Sequence, residues 1–286
     1  MPHPDDLDGD VYVSPRHLAG STHTGDPALE PLRALGWELR HDDLGNAYLN
    51  APDRKVRLGY LPEGDDDGLW RINAYRDAFA QPAWGVCFND SCPTEFVTAF
   101  TTALATAYQE GPESYLARPL VGSEDRDPFL GVVPLLQRGW VIDRPRWGVF
   151  AIDSPDGLAH LEYTTGDLDP AAELTTRDAR WHLWAGTSVN RPYWYATAST
   201  DTPVPLLAAV TDSVSDPAPL LRWKQDGHSY QAAAHVTPIT QPRPRVPTPL
   251  EASRAAHHRP VALASSSILR WTTSTSTGRR THGPGR

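Results

Sequence analysis

An acidic run, Glu-Gly-Asp-Asp-Asp-Gly at residues 63–68, is the densest group of oxygen ligands in the chain. Three consecutive aspartates could bind a divalent cation, but a calcium loop spaces its carboxylates at alternate positions and ends with a distant glutamate. This run has neither property, and the matching part of a second, similar half of the chain lacks the three aspartates. We therefore predict a solvated hairpin turn here and no metal site.

Two cysteines, Cys87 and Cys92, are the only thiols of the chain. Their spacing is not the C-x₂-C spacing of a zinc or redox pair. A position near a predicted helix N-terminus could lower the pKa of the Cys92 thiol, but no general base lies near it in the sequence. The counterparts in the second half are Thr197 and Thr202. We therefore predict inert thiols.

Arg16 and His17 combine a cation with an acid–base group. The matching stretch keeps an arginine, Arg118, but has Pro119 in place of the histidine. This pattern favours a structural arginine that pairs with a carboxylate of its own domain. The chain has no G-x-S-x-G, H-E-x-x-H, P-loop or dinucleotide glycine motif. The sequence therefore predicts no catalytic residue, no metal ligand and no cofactor site.

Aromatic residues of the second half form the most specific pattern in the chain. In the predicted strand RWHLWAG, alternation places His182 and Trp184 on one face and their neighbours on the other. In the predicted strand YWYATA, it places Tyr193 and Tyr195 on the face opposite Trp194. If Trp194 faces the helices, the other four form a patch on the opposite face. The first half has Arg71, Asn73, Ala83 and Gly85 at the matching places. Two interpretations remain open: the rings cover an interface between the halves or lie beneath a helix, or they form an interaction surface.

The positions of these residues depend on an internal repeat. PLRALGW (31–37) and PLLQRGW (134–140) lie 103 positions apart, and further matches continue at nearly the same offset. The offset widens to about 110 because the second copy has extra residues in TGDLDPAAELTTRDA (165–179). Matched residues include Trp37 with Trp140, Leu58 with Leu161, Tyr60 with Tyr163, Trp84 with Trp194, and Pro93 with Pro203. The chain is therefore a duplication.

Both copies show the same order of predicted elements. A short helix ends at a glycine, Gly36 or Gly139, which permits a left-handed C′ residue. We place Pro31 and Pro134 in the first turn of that helix, where a missing N–H is tolerated. Five extended runs with turn-like breaks follow, and an amphipathic helix closes each copy. We predict an α+β fold with two tandem helix–antiparallel meander–helix repeats at residues 11–111 and 114–222.

The remaining residues, 223–286, differ in composition from the two repeats. They are rich in Pro, Ser, Thr and Arg and contain nine Lys and Arg residues but only two acidic residues. Residues 1–222 contain the other 17 Lys and Arg residues and 33 acidic residues. Such a segment buries too little apolar surface to offset the entropy of ordering. We predict a disordered basic tail after an acidic body that would repel nucleic acid.

Several stretches of the chain resemble an uncharacterised actinobacterial family known as domain of unknown function 317. They are VYVSPRHLAG (11–20), PLRALGW (31–37), VRLGYLPEGDDDGLWRI (56–72) and PAWGVCFNDSCPTEFVTAFTTAL (82–104). The resemblance is strong in the first copy and weaker in the second, which departs in the acidic loop and its insertion. It implies a tandem arrangement and a bacterial cytoplasmic location, and it adds no chemistry. The acidic N-terminus also lacks the features of a signal peptide.

The sequence favours a non-catalytic interaction module that binds an unknown protein partner, with no membrane partner and no cofactor. Its candidate interaction surface is Trp184, Tyr193 and Tyr195, with His182 at the edge. Three features support this choice: the two domains have one design, their outer-face aromatic residues have diverged, and the copies share no recognisable catalytic group. Two alternatives remain: a nucleic-acid accessory protein that uses only its basic tail, and an enzyme without a recognisable motif.

Overall fold

The computed structural model of the protein describes residues 10–63, 68–77, 79–116, 127–143, 148–223 and 230–239. The first copy contains β1 (Asp10–Ser14), a 3₁₀ turn (Arg16–Leu18), α1 (Asp26–Arg33), β2 (Glu38–His41), β3 (Ala47–Asn50), β4 (Val56–Tyr60), β5 (Trp70–Tyr75), β6 (Pro82–Phe88) and α2 (Thr94–Glu110). The mixed helix and strand fold and the five-stranded meander confirm the predicted fold class.

The second copy repeats this order after a short helix, α3 (Pro112–Tyr115). It contains α4 (Pro128–Gln137), β7 (Val141–Ile142), β8 (Val149–Asp153), β9 (Ala159–Thr164), α5 (Pro170–Thr175), β10 (Trp181–Ala185), β11 (Trp194–Ala198) and α6 (Val204–Ser215). The extra residues of this copy lie between β9 and β10, where they form α5. Among the described residues, no helix has both the length and the apolar character that a bilayer crossing requires.

One antiparallel sheet of ten strands runs through both copies, in the order β2-β3-β4-β5-β6-β11-β10-β9-β8-β7. The copies meet where β6 pairs with β11. In that pair Cys87 lies opposite Thr197, which is its own counterpart in the repeat. The approximate two-fold axis that relates the copies therefore passes beside this pair, and equivalent residues lie at similar distances on either side of it.

Four helices, α1, α2, α4 and α6, cover one face of the sheet, and α2 packs against α6. The predicted apolar stripe of α2 is buried there, because Phe96, Phe100 and Leu104 are fully enclosed. Phe100 lies edge-on to Trp84 at a centroid distance of 6.2 Å. Residues from both copies belong to this single hydrophobic core. The face of the sheet opposite these four helices is called the outer face below.

The helix boundaries correct one prediction. Pro31 and Pro134 lie inside α1 and α4 rather than in the first turn, because Pro27 and Pro128 occupy the first-turn positions. The other end of these helices agrees with the sequence. Gly36 and Gly139 have φ values of 78° and 84°, the left-handed conformation expected of a C′ glycine.

A second sheet has three strands and corrects the predicted tail. β1 is its central strand, with β12 (Leu220–Trp223) on one side and β13 (His235–Pro238) on the other. Residues 230–239 are therefore ordered, although they fall in the segment predicted to be disordered, because β13 completes the backbone hydrogen bonding of β1. The rest of the predicted tail, residues 224–229 and 240–286, lies outside the described residues.

The short segment before each meander anchors to the other copy. The indole Nε1–H of Trp84 donates to the carbonyl of Tyr115 at 2.7 Å, and that of its counterpart Trp194 donates to the carbonyl of His17 at 2.8 Å. Asp53 and Asp156 are also counterparts. Asp53 accepts from the hydroxyl of Tyr115 at 3.0 Å, and Oδ2 of Asp156 lies 2.7 Å from Nε2 of His17. The N-terminal segment thus serves the second copy as α3 serves the first.

Asp156 makes this anchor sensitive to acid. Burial alone would raise the pKa of Asp156, but hydrogen bonds from His17 and Ser154 outweigh it and hold that pKa well below its usual range. A carboxylate with a lowered pKa contributes stability above its unfolded pKa, about 4, and loses it as pH falls towards the folded pKa. We expect Asp156→Asn to cost about 1 kcal/mol of unfolding free energy at pH 7.

The check is a series of urea unfolding curves between pH 7 and pH 2.5 for the wild type and Asp156→Asn. The difference in stability between them should shrink as the pH falls below 4, because the Asp156 carboxyl of the unfolded wild-type chain takes up a proton while that of the folded chain stays ionised. A difference that stays constant over this range would show that the charge of Asp156 does not contribute.

Candidate binding cleft at the junction of the two copies

A row of side chains crosses the junction on the outer face of the sheet. In register across β5, β6, β11 and β10 lie Arg71, Cys87, Thr197 and His182. The two-fold axis relates the members of this row, since Arg71 is the counterpart of His182 and Cys87 that of Thr197. The row therefore places a guanidinium on one side of the axis and an imidazole on the other.

Beside this row, the second copy carries a cluster of aromatic rings. Tyr195, Trp184 and His160 are cross-strand neighbours on β11, β10 and β9. His160 stacks on Trp184 with the ring centres 4.1 Å apart. Its Nδ1 lies 2.6 Å from Oδ1 of Asp153 on β8, which fixes the plane of the imidazole. We call Tyr195, Trp184 and His160 the ring cluster.

The structure separates the four residues of the predicted patch. Trp184, Tyr195 and His182 lie together on the outer face, as the alternation predicts. Tyr193 does not join them, because β11 begins at Trp194 and Tyr193 packs against the core cluster. Only 6% of Trp184 and 4% of Tyr195 are exposed to solvent. Both rings are therefore buried and do not form an open interaction surface.

A cleft of about 280 Å³ opens at the junction, between the outer face and α5. We call it the junction cleft. Its lining includes Arg71, Asn73 and Cys87 from the first copy, and Arg177, Tyr195 and Thr197 from the second. The guanidinium carbon of Arg177 lies 4.3 Å from the centre of the Tyr195 ring, a cation–π contact. Neither copy could form this cleft alone.

The cleft exists because Gly85 has no side chain. An added Cβ at this position would lie 2.6 Å from Cδ2 of Leu174 on α5 and 2.6 Å from Oδ1 of Asn73. Tyr195 is the counterpart of Gly85, so the same place in the second copy is filled by a ring. The second-copy insertion therefore packs its α5 over the first copy, at a glycine that leaves room for it.

Hydrogen bonds hold α5 in this position. Asp169 caps the helix by accepting from the N–H of Ala171. The buried Glu173 carboxylate accepts from the N–H and the hydroxyl of Thr200, at 3.1 and 2.7 Å. Since two charge-assisted bonds tie α5 to the end of β11, the wall of the cleft that carries Arg177 has a defined place.

Two buried nitrogen atoms lie one strand beyond the cleft wall. Nε1 of Trp184 and Nε2 of His182 have no hydrogen-bond partner among the described residues. The other nitrogen of His182, Nδ1, lies 3.8 Å from Oε2 of Glu162. Buried polar atoms are nearly always paired, so a pair of this kind needs an explanation.

The other residues that the sequence analysis singled out, Cys92 and Arg16, lie in environments that indicate structural roles. Burial, with a smaller contribution from Glu95, raises the pKa of the Cys92 thiol well above its usual value, opposite to the lowering that a helix N-terminus could produce. Arg16 pairs with Asp216 at 2.6 Å, so its partner lies in the second copy rather than in its own domain, which corrects the prediction. Residues 64–67 of the acidic run lie outside the described residues. Within the described ranges, no three His, Cys, Asp or Glu side chains converge on a metal position.

Sequence reasoning missed the cleft and the roles of Arg71, Arg177 and Gly85. Two signals were available: the insertion of the second copy, and a glycine where that copy has a tyrosine. Neither signal could show that the insertion of one copy covers the glycine of the other, because that contact depends on the β6–β11 pairing.

Two segments of the chain, residues 50–109 and residues 153–220, match a family model described as SPDY: Domain of unknown function (DUF317). Each matched segment begins within the meander; the first ends in α2 and the second ends just beyond α6, so the two matches follow the structural repeat. No curated protein and no solved structure matches the chain.

Proposed function

We propose that this tandem-repeat, DUF317-like protein is a non-catalytic interaction module whose junction cleft binds a segment of a protein partner. The observation that carries the proposal is the cleft between the two copies, in which Arg177 of the insertion lies over the ring of Tyr195. Arginine and tyrosine are enriched among the residues that dominate the energy of protein interfaces.

The divergence of the two copies supports a recognition role. Gly85, Asn73 and Arg57 of the first copy correspond to Tyr195, Trp184 and His160 of the second, and this difference makes one side open and the other side a wall of rings. The core-facing residues of the same strands remain aromatic or apolar in both copies. Because the difference is concentrated on the outer face, it supports a site there rather than a requirement of the fold.

The size of the cleft supports a short segment as the ligand. About 280 Å³ is slightly below the usual range for drug-sized ligands, and it suits one or two side chains of an extended peptide. Guanidinium, amide and hydroxyl groups along its walls supply hydrogen bonds, while Tyr195 supplies apolar area at low entropic cost.

The test is a comparison of Arg177→Ala with Arg191→Ala. Both arginines are exposed, but only Arg177 lines the cleft, so the two variants lose the same charge with different consequences for the site. In quantitative affinity capture from cells of the source organism, we expect partners to be recovered about tenfold less with Arg177→Ala. Arg191→Ala should recover them like the wild type.

Equal recovery of partners by both arginine variants would show that the junction cleft does not take part in the interaction. The two buried rings are poor targets for this comparison, because replacing Trp184 or Tyr195 by alanine would leave a cavity and weaken the fold. Circular dichroism and thermal unfolding of both arginine variants provide the folding control.

The charge distribution keeps one alternative open. Residues 240–286 contain eight arginines and a single acidic residue, so nucleic acid would bind to this segment and be repelled by the acidic body. Electrophoretic titration of the full chain and of residues 1–239 with DNA distinguishes binding by residues 240–286 from binding by the body. Retention that survives removal of residues 240–286 would place nucleic-acid binding in the body.

A further inference from the structure

A second cavity, of about 270 Å³, lies beside the first turn of α4, on the helix-covered face of the sheet. Phe150, Tyr163 and Trp181 form a cross-strand row there along β8, β9 and β10, and Phe129 of α4 adds a fourth ring. The rings of Tyr163 and Trp181 meet edge to face, with their centres 4.8 Å apart, so that they form a corner. We call this cavity the aromatic pocket. The lining residues described for it and for the junction cleft do not overlap.

The first copy keeps the tyrosine–tryptophan pair as Tyr60 and Trp70, with the ring centres 4.6 Å apart. The chain lies against this pair at Gly25, where an added Cβ would be 3.4 Å from Cη2 of Trp70. Ala47 takes the place of Phe150 and is buried. Because the same fold accepts alanine at this position, the additional ring of the second copy is not a requirement of the repeat.

The charge of the aromatic pocket is negative. Among the described residues that line it, Asp127 is the one that carries a charge, and the others are aromatic or apolar apart from Thr165. Oδ1 of Asp127 accepts from the N–H of Phe129 at 2.9 Å. The end of α4 therefore presents a carboxylate to the pocket rather than bare N–H groups.

A cation of the protein already lies near one of the rings. The guanidinium carbon of Arg180 is 5.6 Å from the centre of the Tyr163 ring, within the distance of a cation–π contact. Arg180 lines a neighbouring cleft together with three carboxylates, those of Asp167, Glu173 and Asp201. Its charge is therefore offset locally and does not reverse the sign of the potential at the aromatic pocket.

We propose that the aromatic pocket binds a quaternary ammonium group. Ring faces attract a cation through their quadrupoles, and the attraction is strongest when the cation is desolvated. A primary ammonium would bury three N–H donors, whereas the described side chains of the lining offer only the Asp127 carboxylate and the Thr165 hydroxyl as strong acceptors. A quaternary ammonium has no N–H to satisfy, and its methyl groups contact the rings directly.

The size of the pocket selects a compact head group. About 270 Å³ suits trimethylammonium, whether it belongs to a free small molecule or to a trimethylated lysine side chain. This site goes beyond the proposed function, which concerns the junction cleft.

The experiment compares choline with dimethylbutanol, the uncharged isostere in which carbon replaces the nitrogen of choline. Proton NMR with the full chain follows the methyl signal of each probe, and calorimetric titration measures its affinity. The methyl signal of choline should move upfield and saturate, because the protons lie over ring faces, and choline should bind about tenfold more tightly than dimethylbutanol. Trimethyllysine, acetylated and amidated, is the third probe. The tighter of the two cationic probes distinguishes a small-molecule ligand from a protein side chain.

Two pairs of variants locate the site. Phe129→Ala removes the most exposed ring of the pocket and should weaken choline binding about tenfold, whereas Phe79→Ala removes an exposed ring elsewhere and should not weaken it. Asp127→Asn keeps the cap of α4 but removes the charge, and should weaken choline binding about threefold. Asp169→Asn makes the same change at the cap of α5 and should bind choline like the wild type.

Equal affinity for choline and dimethylbutanol would overturn the quaternary ammonium site and leave a merely apolar pocket. A choline signal that does not move, or that moves equally with Phe129→Ala, would overturn it as well. Thermal unfolding of all four variants shows that they fold. Because Arg177→Ala tests the junction cleft, the proposed function stands or falls independently of these results.

Discussion

Replacing Glu95 by alanine is expected to lower the free energy of unfolding by about 3–4 kcal/mol. Its two carboxylate oxygens accept from Nη1 and Nη2 of Arg222 at 2.7 and 2.8 Å. Arg222 itself is only 3% exposed, and its Nε also donates to the carbonyl of Gly20. Without Glu95, a buried guanidinium would lose its counter-charge, which accounts for the large effect.

Glu110→Ala is the matched control, because Glu110 lies exposed at the end of the same helix. Denaturant unfolding followed by tryptophan fluorescence measures both variants. The double variant Glu95→Ala/Arg222→Met should recover part of the loss, because it removes the stranded charge as well. A change below 0.5 kcal/mol for Glu95→Ala, as is typical of surface pairs, would contradict this account.

Deletion of residues 1–20 is expected to destabilise the second copy more than the first, although these residues include the start of the first copy. The deletion removes β1 from between β12 and β13, and with it the buried side chains of Val11, Val13 and Leu18. It also leaves Nε1 of Trp194 without its acceptor. Burial of three such side chains contributes about 1.5–3 kcal/mol each, so the total loss is about 4.5–9 kcal/mol.

Hydrogen–deuterium exchange can locate this effect. Protection should fall most strongly in α6, β11 and β12 of the deletion variant, whereas β3, β4 and β5 should keep more of theirs. Deletion of residues 1–9 alone is the control, because it leaves β1 in place. Equal loss of protection in both meanders would mean that the N-terminal segment supports the shared sheet rather than the second copy.

Local patterns account for what the sequence determined by itself. Repeated Gly-Trp pairs, alternating runs and four-residue spacings depend on neighbours within one element, so they predicted the duplication, ten strands and the apolar stripe of α2. The same alternation placed Trp184, Tyr195 and His182 on one face. These inferences need no knowledge of the partner strand.

The pairing of strands that are far apart in the sequence decided the other features of the fold. The sequence does not specify which edge strands meet, so it could not show that β6 joins β11 or that β13 completes a sheet around β1. The junction cleft follows from these pairings, because α5 of one copy covers Gly85 of the other only when both copies share a sheet. Backbone groups at a strand edge accept any strand of suitable geometry. The choice among them is made by the burial and hydrogen bonding of the whole tertiary structure.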